Sequence, residues 1–264
     1  MLLLHGGPGL GYDYVEGLAD ELGEGFSMAA YQQRGLTPSS EAGPFRIADH
    51  VDDLRRVLDA LGWERAVLLG HSWGGHLALH FATVLPERTT GVLAVDPLGG
   101  VGDGGEQAFE AELSSRVPAE VRTRAEELDE RALRGEGTDD DALESFRLVW
   151  PAYFPSWDSA PPMPQMRASV ACYAETFESI REELPRLEAA LPSIGVPVGF
   201  VAGAASPIPT TASTDTAERI PGAWVETIQA AGHFPWLDVS GSVRSALHRL
   251  CGGVTAGKVG TSAT

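Results

Sequence analysis

Residues 70–74, which read Gly-His-Ser-Trp-Gly, constrain the fold of this chain more than any other segment. An apolar run precedes them and a helical pattern follows, so the chain is predicted to turn sharply there from a buried strand into a helix. Such a turn strains the backbone of its central residue, and a Cβ at either glycine would collide with a neighbouring strand or helix. The pattern therefore predicts that Ser72 is a nucleophile at the end of a sheet.

A glycine-rich turn begins close to the first residue, where the apolar segment 1–4 leads into His-Gly-Gly-Pro-Gly at 5–9. Backbone N–H groups in such a turn can point into a cleft, because no side chains obstruct them. Acyl transfer needs two donors of this kind where the carbonyl oxygen becomes negative. We predict that the amides of Gly7 and Trp73 form this oxyanion hole.

His233 is predicted to be the general base that activates Ser72. It lies on a loop between the last predicted strand and the C-terminal helix, from which an imidazole can meet a nucleophile at the sheet end. Other histidines fit structural roles, because they lie in amphipathic helical segments or lack further metal ligands. These are His50, His248, and the pair His76 and His80. We predict neither a metal nor a cofactor.

Four motifs occur together along the chain: His-Gly-Gly-Pro-Gly at 5–9, Gln-Gln-Arg-Gly at 32–35, Gly-His-Ser-Trp-Gly-Gly at 70–75 and Gly-His-Phe-Pro-Trp at 232–236. In this combination and order, the chain resembles the α/β-hydrolase superfamily. The branch that it resembles most contains the proline iminopeptidases. The resemblance implies an α/β-hydrolase fold with a mostly parallel sheet of eight strands, a Ser–His–acid triad, and a helical cap inserted after the sixth strand.

The pattern of apolar residues predicts an alternation of strands and helices, which is typical of an α/β core. Strands are predicted at 1–5, 26–32, 66–70, 91–96, 196–203 and 223–229, and helices at 12–22, 47–62, 73–85, 210–219 and 240–250. Between the two parts of this core, charged amphipathic helices are predicted at 107–117, 119–134, 140–150 and 166–191. We therefore predict a core at 1–100 and 193–251, a helical cap at 101–192, and a disordered tail at 252–264.

One departure from the family pattern concerns the edge of the sheet. The family has two antiparallel strands before the strand that begins here at Met1, so these first two strands are missing from the pattern. The segment 26–31 would then form an exposed apolar edge, which is an aggregation liability. We expect that the natural protein starts upstream or that a second copy covers this edge in a homodimer.

The second departure concerns the acid of the triad. The family pattern Gly-x-x-Asp-x-x-Pro corresponds here to residues 203–209, which place Ser206 where the acid stands. A hydroxyl cannot stabilise an imidazolium as a carboxylate does, so Ser206 is expected to contribute little. Asp96, which ends the strand at 91–96, is predicted to be the acid instead. Asp215 and Asp238 are the alternatives.

The substrate is expected to be a small-molecule carboxylic ester or lactone, which a serine hydrolase would cleave through an acyl-enzyme. Trp150 and Tyr153 supply aromatic surface for it near the expected pocket. An aminopeptidase resembling proline iminopeptidases is an alternative, in which Glu175 and Glu178 would bind the substrate amine. A low-turnover ligand-binding protein of the same fold is another. Dehalogenation and epoxide hydrolysis are disfavoured, because both need a carboxylate nucleophile.

Composition narrows the partners and the compartment. The net charge of −18 repels phosphate backbones and anionic lipid surfaces, so nucleic acid and membranes are not expected partners. No apolar run reaches the roughly 18 residues needed to cross a bilayer, and no signal peptide is recognisable. The chain has 2 cysteines, Cys172 and Cys251, with no sign that they pair. A reducing, cytoplasmic location is expected.

Overall fold

The core is a single sheet, and the computed structural model describes residues 1–134 and 136–256. Within these residues, six parallel strands are ordered β2-β1-β3-β4-β5-β6. Their bounds are Leu2–Leu4 (β1), Ala29–Ala30 (β2), Ala66–His71 (β3), Thr89–Val95 (β4), Val198–Gly203 (β5) and Trp224–Ile228 (β6). The predicted α/β architecture with a parallel sheet is confirmed.

Helices cover both faces of this sheet. They are Val15–Leu22 (α1), Ile47–Ala60 (α2), Trp73–Val84 (α3), Glu106–Arg116 (α4), Ala119–Leu133 (α5), Asp139–Val149 (α6), Val170–Ala190 (α7), Thr210–Glu218 (α8), Pro235–Asp238 (α9) and Ser242–Ala256 (α10). Successive strand residues point to opposite faces. Leu68 of β3 belongs to the cluster that includes α2 and α3, whereas Leu69 belongs to the cluster that includes α1 and α10. Burial on both faces explains why the central strands are continuously apolar.

Four helices, α4–α7, lie between β4 and β5, in the segment that was predicted to form a cap. β4 corresponds to the strand that the family resemblance counts as the sixth. The prediction of a helix from residue 166 is wrong at its start, because α7 begins at Val170. Residues 167–169 instead pair with the glycine-rich loop: Gly11 N–H donates to Arg167 O at 2.9 Å, and Ser169 N–H donates to Gly9 O at 2.7 Å.

The strand β2 lies at the edge of the sheet, as predicted, but it is much shorter than the predicted segment 26–32. Beside it runs a groove of about 420 Å³, lined by Leu3, Tyr12, Asp13, Val15, Glu16, Ala19, Met28, Ala29 and Ala30. Burial of this edge by a second copy stays a prediction.

The C-terminal region differs from the predicted disordered tail at 252–264. Helix α10 continues to Ala256, and residues 257–264 lie outside the described part of the chain. In the described part, no helix is long and apolar enough to cross a bilayer.

Several histidines are buried away from water, and burial keeps them neutral. Burial lowers the pKa of His5 and His76 from 6.5 to about 4 and that of His50 to about 3. It also lowers the pKa of His71 and His80 well below 6.5. The amphipathic helical segment around His50 predicts a surface or half-buried position for it, and the structure corrects this, because the residue is 1% exposed.

We expect the free energy of unfolding to fall as the pH is lowered from 7 to 5. The unfolded chain binds protons on these imidazoles near pH 6.5, whereas the folded chain binds them only near pH 4 or below. Their stabilisation is therefore complete above pH 6.5 and is lost through this window, at about 2 kcal/mol for each histidine at pH 5. Urea unfolding at a series of pH values measures the loss.

A matched variant isolates one contributor to this loss. His50→Gln removes a titrating group whose Nδ1 is buried with no hydrogen-bond partner within residues 1–134 and 136–256, and whose Nε2 lies 3.2 Å from Thr176 Oγ1. We expect its unfolding free energy to depend less steeply on pH between 7 and 5. A wild-type stability that is constant or rises over this range would contradict the argument.

Candidate active site

The turn between β3 and α3 places Ser72 in the strained conformation that the sequence predicts. Its backbone has φ 54° and ψ −123°, a region that costs a non-glycine residue about 1–3 kcal/mol. Ser72 N–H donates to Val95 O at 2.9 Å, which ties the turn to the end of β4. The nucleophile candidate and the residue after β4 thereby lie together at the carboxyl ends of the strands.

The glycines of this turn are required by close approach of the backbone. A Cβ on Gly70 would lie 2.1 Å from Gly74 O, and one on Gly74 would lie 2.2 Å from Leu4 O. Gly6 faces the turn from the other side, since its Cβ would lie 2.8 Å from Ser72 Cβ. The glycine-rich loop 5–9 therefore lies against the nucleophile candidate.

The structure brings His233 and Asp96 into direct contact. His233 Nδ1 lies 2.6 Å from Asp96 Oδ2, with the two side chains 5% and 2% exposed. Asp96 follows β4, and its backbone has a φ of 45°. Because the carboxylate can only accept, Nδ1 carries the proton and Nε2 is left free to accept one. This tautomer is the one that a general base requires.

The carboxylate of Asp96 has two further donors, one of which sequence reasoning missed. Gly203 N–H donates to Oδ1 at 2.9 Å, and the Ser206 hydroxyl donates to Oδ2 at 2.5 Å. Ser206 thus stands at the family's acid position and donates to the carboxylate of Asp96, so it is less dispensable than its lack of charge suggests. Its place in the Gly-x-x-Asp-x-x-Pro pattern was the available signal.

The alternative acids lie away from the imidazole. Asp215 is exposed on α8, where Thr214 Oγ1 donates to it. Asp238 accepts Gly232 N–H at 2.8 Å, so it fixes the loop that carries His233. Neither carboxylate hydrogen-bonds to His233 in the described part of the chain.

Ser72 and His233 are neighbours through His71. The imidazoles of His71 and His233 have ring centroids 4.6 Å apart, and His71 Nε2 lies 2.8 Å from His233 O. Among the described residues, no hydrogen bond joins Ser72 Oγ to the His233 ring. Contacts of this kind are often long before substrate binds and shorten in the substrate complex.

The backbone N–H groups of Gly7 and Trp73 fit an oxyanion hole. Trp73 is the first residue of α3, where an N–H has no partner within the helix. Gly7 has a φ of 59°, and a Cβ there would lie 2.3 Å from Leu10 Cδ1. Within the described residues, neither N–H donates a hydrogen bond, which leaves both available to an anionic oxygen.

The two aromatic residues predicted to bind substrate have different surroundings. The Tyr153 ring is half-buried with its centroid 5.3 Å from that of His233, and its carbonyl accepts His233 N–H at 2.8 Å. Trp150 is buried against Phe154 and Phe234 and donates Nε1–H to Pro161 O at 2.7 Å. The prediction of substrate contact therefore suits Tyr153, whereas Trp150 packs beneath the site.

Two other pairs of polar residues that the sequence singles out make contacts apart from Ser72 and His233. Glu175 and Glu178 line a groove with Arg46, Ser179 and Glu182, and this lining does not include Ser72 or His233. The buried pair His76 and His80 contact each other, with 3.2 Å between their Nε2 atoms. In the described part of the chain, no group of three or more potential metal ligands occurs.

This chain is similar to known proteins both in its sequence family and in its three-dimensional structure. A family model described as alpha/beta hydrolase fold matches residues 1–238. A solved α/β fold family hydrolase from Bacillus anthracis superposes with a TM-score of 0.72 at 18% identity, covering 94% of this chain and 91% of that one. This likeness concerns the fold.

Curated relatives match over shorter segments. Epoxide hydrolase B of Mycobacterium tuberculosis is 36% identical over 106 residues, which are 39% of this chain and 30% of that protein. A proline iminopeptidase of Chitinophaga pinensis is 36% identical over 88 residues, which are 31% of this chain and 29% of that protein. The chain thus spans less than a third of the length of these relatives.

Proposed function

The chain belongs to the α/β-hydrolase fold family, and we propose that it is a serine hydrolase that cleaves a small-molecule carboxylic ester or lactone through an acyl-enzyme. The observation that carries the proposal is the 2.6 Å contact between His233 Nδ1 and Asp96 Oδ2, beside the strained Ser72. Because this contact engages Nδ1, Nε2 is left free to serve as the base for Ser72.

The proposed reaction has two halves. In the first, His233 Nε2 takes the proton of Ser72 Oγ as this oxygen attacks the substrate carbonyl carbon, and the carbonyl oxygen becomes negative between the N–H groups of Gly7 and Trp73. The imidazolium then gives its proton to the leaving alkoxide, and the alcohol departs. In the second half, His233 deprotonates a water that attacks the acyl-enzyme, and the acid and free Ser72 are regenerated.

The nucleophile and its surroundings support this substrate class. A serine forms an acyl-enzyme with an ester, whereas epoxide hydrolysis, the chemistry named for one relative, needs a carboxylate at this position. The half-buried ring of Tyr153 beside His233 offers apolar surface to a small ester or lactone. The aminopeptidase alternative has less support, because Glu175 and Glu178 line a groove that does not include Ser72.

Covalent labelling tests the proposal directly. We expect a fluorophosphonate probe to label the wild-type chain on the peptide that contains Ser72 and to leave Ser72→Ala unlabelled. Ser242→Ala is the matched control, because it removes a buried hydroxyl that has no hydrogen-bond partner in the described part of the chain, and it should leave labelling unchanged. No labelling of a protein shown to be folded by circular dichroism would favour a ligand-binding role.

A substrate panel tests the chemical class. We expect p-nitrophenyl esters or lactones to be hydrolysed faster than aminoacyl-naphthylamides. Turnover of prolyl-naphthylamide far above that of the esters would support the aminopeptidase instead.

A further inference from the structure

The hydroxyl of Tyr14, which immediately precedes α1, connects two loops of the site. It accepts the N–H of Gly6, and it lies 2.8 Å from His71 Nδ1. The Tyr14 ring packs edge-on against His71 and Phe234, with centroids 5.5 and 5.9 Å apart. The hydroxyl is therefore fixed between the glycine-rich loop and the residue that precedes Ser72.

The donor and the acceptor can be assigned for each hydrogen bond in this series, which links Gly6, Tyr14, His71 and His233. His71 Nε2 faces a carbonyl, the oxygen of His233, so it must carry the proton and donate. Burial lowers the pKa of His71 well below 6.5, so the ring is neutral and its Nδ1 accepts. Tyr14 must then donate to His71 Nδ1 while its oxygen accepts from Gly6 N–H. The series of hydrogen bonds therefore runs from the glycine-rich loop to the loop of His233.

A second contact fixes the other side of Gly6. His5 Nδ1 lies 3.0 Å from Gly6 O, and His5 Nε2 accepts Gln33 N–H at 3.0 Å. His5 therefore donates from Nδ1 to the Gly6 carbonyl. In a trans peptide, that carbonyl and the N–H of Gly7 point in opposite directions. Anchoring Gly6 at both its N–H and its C=O therefore sets the direction of the Gly7 N–H.

We propose that Tyr14 is a positioning residue of the reaction, which aligns the oxyanion donor of Gly7 with Ser72 and with the loop of His233. This inference rests on the proposed function. Tyr14 acts through Gly6 and His71, and the Gly7 N–H, which touches the reacting oxygen, depends on it. A glycine at position 6 has wide backbone freedom, so its peptide needs such anchors to stay aligned.

Tyr14→Phe removes the hydroxyl and keeps the ring. We expect kcat per titrated active site to fall about tenfold with KM nearly unchanged, because removing one oxyanion donor outright costs about 10²–10³ and misaligning it costs less. The second-order rate constant of fluorophosphonate labelling should fall by a similar factor. Tyr31→Phe is the matched control, since the Tyr31 hydroxyl is buried with no hydrogen-bond partner among the described residues and its removal should change neither rate.

His71→Gln interrupts the same series of hydrogen bonds at the next residue after Tyr14. It therefore tests the proposal even where Tyr14→Phe folds poorly. We expect a similar fall in kcat. We expect no further fall in the double variant, because both substitutions interrupt the same series of hydrogen bonds. Losses that multiply would overturn the proposal. So would a lower melting temperature for Tyr14→Phe with an unchanged kcat per titrated site.

The wild-type protein separates this inference from the proposed function. A folded wild type that neither reacts with the fluorophosphonate nor hydrolyses esters overturns both. A reactive wild type whose Tyr14→Phe and His71→Gln variants react at the same rate overturns the role of Tyr14 alone.

Discussion

Replacing Asp96 with asparagine is expected to lower kcat by about 10⁴ with little change in KM. The asparagine side chain fits the same space, but an amide nitrogen at the position of Oδ2 would donate to His233 Nδ1 instead of accepting from it. The imidazole would then carry its proton on Nε2 and could not take one from Ser72. Steady-state kinetics on the fastest ester or lactone measures the change.

The control for this variant is Asp215→Asn, which makes the same substitution on the exposed face of α8. We expect Asp215→Asn to retain wild-type kcat, and both variants to unfold near the wild-type temperature. A nearly normal Asp96→Asn enzyme, together with an inactive Asp215→Asn or Asp238→Asn, would show that the acid lies elsewhere.

The residues of the candidate site could be predicted because each stands at a place that the fold itself marks. Ser72 follows a strand and precedes a helix, Asp96 directly follows the next strand, and His233 lies after the last one. In a parallel sheet, the carboxyl ends of all strands meet at one edge. Assigning these three elements from apolar periodicity is therefore enough to place the three side chains near each other.

The hydroxyl contacts could not be predicted in the same way. Tyr14 meets His71 across 57 positions of sequence, and Ser206 meets Asp96 across 110. Each contact joins a residue at a strand end, His71 or Asp96, to a side chain whose place is set by how its own segment packs onto the finished sheet. A tyrosine before a helix is ordinary, and the Gly-x-x-Asp-x-x-Pro pattern marks the position of Ser206 without showing which group its hydroxyl contacts. Local sequence therefore carries little of this information.

The predicted end of an element is wrong where tertiary hydrogen bonds replace local ones. Residues 166–169 have a helical pattern, but the N–H of Ser169 and the carbonyl of Arg167 bond to the glycine-rich loop instead. Ser169 then caps α7, because its hydroxyl accepts the N–H of Cys172. The strand β2 is also shorter than predicted, and its register with β1 pairs Ala29 and Ala30 with Leu2 and Leu3.

Removing the imidazole should have the largest effect of any change at the site. We expect His233→Ala to lower kcat by about 10⁶, because in the proposed reaction this imidazole takes the proton of Ser72. The loop itself should survive, since His233 is held by its backbone: its N–H donates to Tyr153 O, and its carbonyl accepts from His71. Residual rates per mole of folded protein measure the loss.

The double variant Asp96→Asn/His233→Ala then asks whether Asp96 acts through the imidazole. If it does, the double variant should be no slower than His233→Ala, because a carboxylate has nothing to orient once the ring is absent. Independent contributions would multiply to a loss of about 10¹⁰. A double variant that is measurably slower than His233→Ala would mean that Asp96 also acts on the substrate or on Ser72 directly, and the division of roles within the proposed triad would have to change.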